Sequence, residues 1–163
     1  MSEKISDFLK LRGGKAYRSL LNEIEGVDAE QALAGRRSHW TSHRWGVGQN
    51  GSIAGIVYHV AAWKGITLGM FNPELKTLQT VAFDAASAPA PDNWEGIVVW
   101  LKTVGGQWNE ALQNLPGAEF DREKIWEGSS LTVAEFIAEM YEHDVQHASQ
   151  IAYLRQAMKV DNG

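Results

Sequence analysis

From Trp94 through Ile97, Val98, Leu101, Val104, Trp108 and Leu112 to Leu115, apolar residues return at every third or fourth position. That spacing keeps one continuous stripe on a helix, and the stripe needs a partner surface to cover it. Pro91-Asp92-Asn93-Trp94-Glu95 marks the start, with Asp92 and Glu95 at capping-box spacing, and Pro116-Gly117 marks the end. A second helix is signalled by Leu131-Thr132-Val133-Ala134-Glu135-Phe136, where Thr132 and Glu135 can cap each other and Leu131 can staple onto Phe136. From there Phe136, Met140, His143, His147, Ile151, Leu154 and Met158 recur at steps of three and four, so two histidines share a stripe with core residues. A third segment, Ser52 to about Met70, puts Ile56, His59, Trp63 and Ile66 on one face.

The N-terminal pattern is split, because Gly13-Gly14 separates Ile5, Phe8 and Leu9 from Tyr17, Leu20, Leu21 and Ile24. One bent helix or two short ones fit it. Asp28 to Gln31 has capping-box spacing and predicts a brief helical turn. Connections remain at roughly Gly35 to Gly51, Phe71 to Pro91 and, shorter, Pro116 to Leu131. Connections this long are uncommon in a compact domain unless they carry function or cross it, so at least one overhand crossing is expected. At 163 residues the expectation is a single all-α domain spanning 1–163.

Composition removes several classes of chemistry. The absence of cysteine excludes disulfide scaffolds, thiolate zinc fingers, iron-sulfur clusters and a cysteine nucleophile, so any metal is left to histidine or oxygen ligands. Fifteen Lys and Arg against 20 Asp and Glu give a net charge of −5, which repels phosphate backbones and argues against nucleic acid. The first residues lack the apolar stretch of a secretory signal, and His59 and Lys64 interrupt the best membrane candidate, Ile53 to Met70. A cytoplasmic protein with no membrane partner is the expectation.

His143 and His147 form an H-x-x-x-H pair inside a helix. Four residues bring two side chains within roughly 40° in azimuth and about 6 Å along the axis, close enough for both rings to reach one ion. Leaving two such imidazoles in a core without partners costs about 1–3 kcal/mol per unsatisfied nitrogen. His59, on a separate amphipathic helix, is the natural third ligand, since three histidines and an open position are a common catalytic metal arrangement. Three separately hydrogen-bonded histidines are the plainer alternative.

Ser52-Ile53-Ala54-Gly55-Ile56-Val57-Tyr58-His59-Val60-Ala61-Ala62-Trp63, followed by Glu142-His143-Asp144-Val145-Gln146-His147-Ala148-Ser149-Gln150-Ile151, resembles the DinB-like superfamily of putative metalloenzymes. In that family one histidine lies on the second bundle helix and an H-x-x-x-H pair on the last, followed by a small residue, Gln and an aliphatic; here Ser149 stands where members carry Gly. The resemblance implies a four-helix bundle with long crossover connections, a His59, His143 and His147 site for nickel or zinc, and a homodimer. It also implies use of a low-molecular-weight thiol as cosubstrate, with S-transfer to, or isomerisation of, a small-molecule electrophile.

Two other functions stay open: a hydrolase using metal-bound hydroxide, and a non-enzymatic, stress-related binding bundle. A peptidase of the H-E-x-x-H type is disfavoured, because Asp144 follows His143 where that motif has glutamate. Around the three histidines, Glu139 and Gln150 are candidates to reach the site, although Glu135, Glu139 and Glu142 also read as a solvated stripe. Arg36, Arg37 and Arg44, in a loop with His39, Trp40, His43 and Trp45, can clamp a carboxylate if that loop closes over the metal. A solvated loop is the plainer reading there. Gly105-Gly106 inside a helix costs about 1 kcal/mol per glycine, which calls for some close approach in compensation.

Overall fold

The computed structural model describes residues 3–34, 51–77, 89–90 and 92–161. These are mostly helical: α1 (Glu3–Ile24), α2 (Ala29–Leu33), α3 (Ile53–Thr67), α4 (Trp94–Asn114) and α5 (Val133–Asp161). The loop bearing Arg36, Arg37, His39, His43 and Arg44 lies outside the described residues. Of the two N-terminal alternatives, the single helix is the one formed.

The helix starts follow their caps. Asp28 and Gln31 make the reciprocal box that opens α2. Ser52 Oγ accepts from the Gly55 amide to open α3. The Thr132–Glu135 box opens α5, with Glu135 accepting from the Thr132 amide and hydroxyl. At α4 the expected Asp92–Glu95 box is corrected: Asn93 is the cap, its Oδ1 accepting from the Gly96 amide at 2.9 Å. Asparagine and aspartate cap about equally well, so spacing alone could not choose between adjacent residues.

Cross-helix contacts fix the directions. Arg12 meets Tyr141 and Arg155 meets Glu23, so α1 and α5 run the same way. Tyr58 stacks near Trp100, and Trp108 donates to Thr67, so α3 and α4 also run together. By contrast, Lys10 pairs with Gln113 and Tyr17 with Leu101, which sets α4 opposite to α1. The connection between Phe71 and Trp94, where a crossing is expected, lies in part outside the described residues.

The stretch from Pro116 to Leu131, expected to be a plain connection, instead holds a 3-10 turn (Gly117–Asp121) and an antiparallel hairpin, β1 (Glu123–Trp126) and β2 (Ser129–Thr132). Glu127 and Gly128 form its two-residue turn with φ of 50° and 84°. A turn of that kind asks for positive φ at both positions, and Glu-Gly signals it more weakly than Asn-Gly. The hairpin and the residue before it hold the segment that follows α3: Arg122 donates to the Met70 carbonyl, and the buried Lys124 ammonium donates to the carbonyls of Asn72 and Leu75. The strands therefore serve to hold the helices rather than to form a layer.

Two apolar clusters fill the interior, one around Leu20, Ile53, Val57, Ile97 and Ile151, the other around Trp108, Leu112, Phe120, Phe136 and Ile137. Between them sits a buried ion pair. Lys64 Nζ donates to Asp144 Oδ2 at 2.8 Å, with the two side chains 0% and 2% exposed. The ammonium also lies 4.4 Å from the Trp108 ring centroid and 5.3 Å from that of Tyr17. Residues from α1, α3, α4 and α5 thus meet at one cation. The stretch Ile53–Phe71 is long and apolar enough by composition to cross a bilayer, with mean hydropathy 1.2, but 67% of that window is buried within the chain.

The close approach that the paired glycines called for is half realised. A Cβ on Gly105 would collide with the Tyr17 ring, and one on Gly13 would come within 2.8 Å of Leu112, so α1 and α4 touch backbone to side chain in both directions. Nothing lies within 4 Å of a Cβ built on Gly106. Gly105→Ala is therefore expected to lower stability by about 1–3 kcal/mol through overpacking. Gly106→Ala should raise it by about 0.5–1 kcal/mol through helix propensity. Urea unfolding of the two variants checks both signs; equal shifts would refute the assignment.

Candidate metal centre

α3 and α5 run antiparallel and bring their histidines together midway along their lengths. His59 Nε2 lies 3.0 Å from His143 Nε2, and His143 Nε2 lies 3.2 Å from His147 Nε2. One nitrogen from each ring falls within a group whose members are all within 4.8 Å of one another. Two nitrogens bound at 2.0–2.1 Å to one ion, at angles between 90° and 109°, lie about 2.9–3.4 Å apart. Both of these separations fall in that interval.

Orientation is set by Gln150, one of the two candidate neighbours. His147 Nδ1 lies 2.8 Å from Gln150 Oε1, an acceptor, so Nδ1 carries the proton and Nε2 keeps its lone pair toward the other rings. His143 Nε2 then has two nitrogen neighbours, and a neutral imidazole has only one N–H to give. A shared cation satisfies what a single proton cannot. Glu139, the other candidate, is exposed on the outer side of α5, as are Glu135 and Glu142, so the solvated-stripe reading describes it.

The protonation state suits ligation. His143 is pushed down to about 2, first by burial and then by the neighbouring His147, His59 and Lys64. Burial also lowers His147, while its bond to Gln150 works the other way. His143 and His147 are thus held neutral, the form that binds metal. His147 is 8% exposed, whereas His59 and His143 are partly open to solvent, which leaves an approach on their side.

Two features were not read from the sequence. The first is an aromatic wall: the Trp63 ring stands edge-on to both His59 and His143 with centroids 6.2 Å apart in each case. Trp126 of the hairpin stacks beyond it at 5.7 Å, and Phe136 packs on Trp126 at 5.4 Å. The second is the fate of Asp144. Burial pushes its carboxyl up while Lys64 opposes the shift, and Tyr17 is pushed up to about 12 by burial first and then by the Asp144 charge. Tied to Lys64, it does not join the imidazole group. The sequence signals for this pair were a lysine inside an apolar helix and an aspartate beside a core histidine.

The profile described as the DinB superfamily matches residues 15–151, a span that contains His59, His143 and His147. No curated protein and no solved structure matches the chain significantly.

Two outcomes follow from this geometry. The unfolded chain carries histidines near pKa 6.5 while folded His143 sits near 2, so between those values the unfolded state binds more protons and stability rises with pH. Metal-free protein should lose stability on acidification from pH 7 to 5, at up to about 1.4 kcal/mol per pH unit for His143 below pH 6. A His143→Gln variant should show a flatter slope in urea titrations across that range. Gln150→Leu, which frees the His147 ring, should weaken metal binding by roughly 10–100-fold, measured by calorimetric titration with zinc.

Proposed function

The chain belongs to the DinB superfamily, and from that premise we propose that it is a metal-dependent enzyme in which His59, His143 and His147 hold one nickel or zinc ion and a low-molecular-weight thiol serves as cosubstrate. The observation that carries the reading is the convergence of three Nε2 atoms, with the His147 tautomer set by Gln150. In this reading α1, α3, α4 and α5 are the four helices of the bundle typical of the family. A dication on three imidazoles lowers the pKa of a thiol that joins it, giving thiolate near neutral pH. The chain has no thiol of its own, so the sulfur comes from solution.

The residues divide the remaining work. His143 and His147 present neutral rings from one helix, and His59 closes the set from the antiparallel one. Trp63, backed by Trp126 and Phe136, walls one side of the cluster with apolar surface. That wall excludes water from the flank of the site and offers a flat face to a small electrophile. The hydrolytic reading gains least, because the carboxylate next to His143 is occupied by Lys64 and is not poised to activate water.

Elemental analysis of gently purified protein should find one equivalent of nickel or zinc, lost in His59→Ala and in His147→Ala. Turnover of a panel of small electrophiles should then require added glutathione, bacillithiol or mycothiol. Ester cleavage without any thiol would replace this proposal with the hydrolase.

A further inference from the structure

We infer that the buried Lys64–Asp144 pair is a positioning device, fixing the one register of α3 against α5 in which the three imidazole nitrogens converge. This rests on the metal reading above. Lys64 follows His59 by five residues, about 7.5 Å along the helix axis, and Asp144 directly follows His143. The tie and the histidines therefore join the same two helices within about one and a half turns of each other.

Apolar contacts between two helices are non-directional, and many nearby registers satisfy them. The ion pair is not so tolerant. Its 2.8 Å contact is fully buried, and a register that separated the partners would leave a charge uncompensated in the core. Nor can the ammonium follow a sliding α5, because it also rests on the Trp108 and Tyr17 rings. Trp108 in turn donates to Thr67 Oγ1, and Tyr17 donates to the Leu101 carbonyl. A hydrophobic pair of similar volume generally gives equal or greater stability than a buried ion pair, so stability alone does not account for these two residues. Nearly all of α3 is apolar and buried, so a rotation of one residue step, about 100°, would turn His59 away from its partners while other apolar side chains took its place.

The test uses Lys64→Met/Asp144→Leu, which removes both charges together, with cobalt(II) as the probe and His147→Ala as the control. The double variant should keep or raise its unfolding midpoint, yet bind cobalt at least tenfold more weakly and with an altered visible spectrum. Wild-type affinity and spectrum in the folded double variant would overturn the inference. Should the double variant not fold, Asp144→Glu decides. It keeps the charge but lengthens the tie by one methylene, and it is expected to weaken cobalt binding; unchanged binding overturns the inference. If wild-type protein binds no cobalt, the metal reading fails by itself, and the register is judged from nuclear Overhauser contacts between the His59 ring and the His143 and His147 rings in metal-free protein. Loss of these contacts in the folded double variant supports the positioning role, and unchanged contacts overturn it.

Discussion

A single ammonium organises the interior. Lys64 sits where the two apolar clusters meet, held by a carboxylate from α5 and by ring faces from α1 and α4. Around it α1, α4 and α3 contribute satisfied polar groups: the Tyr17 hydroxyl on the Leu101 carbonyl, the Trp108 indole on Thr67, the Thr67 hydroxyl on the Lys64 carbonyl. Burying a charge is tolerated only when such partners surround it. The glycine at 105 belongs to the same arrangement, since it lets the Tyr17 ring come close enough to α4 to reach that carbonyl.

Much of this was legible in the chain. The stripes of α3, α4 and α5 and the boxes at Asp28 and Thr132 follow from periodicity and capping rules. The three histidines were readable because polar rings in an apolar stripe need an explanation. Less legible were features that depend on what lies opposite in space. Trp126 reaches the site only because a Glu127-Gly128 turn folds the hairpin back, and that turn is weakly marked in sequence. Asp144 could be seen not to be the glutamate of a peptidase motif, but its partner lies 80 residues away. Asn93 in place of Asp92 is a one-residue difference between equally good caps.

The three histidines also show how candidate ligands can be kept ready. Burial, helped at His143 by the neighbouring rings and Lys64, holds His143 and His147 neutral, and one side-chain amide selects the tautomer of the most enclosed ring. The partly open side falls to His59 and His143, next to the indole of Trp63. Ligand strength and access are thereby assigned to different members of the same trio.

The parallel pairing of α1 with α5 bears on the order in which the molecule assembles. Arg12 and Glu23 find their partners 129 and 132 positions further on, and His59 meets His143 across a separation of 84. Contacts between such distant stretches must overcome a large loop-closure entropy and form late. During synthesis α1 gains its α5 partner only after α5 has emerged, so the three imidazoles come together later than the first helices form.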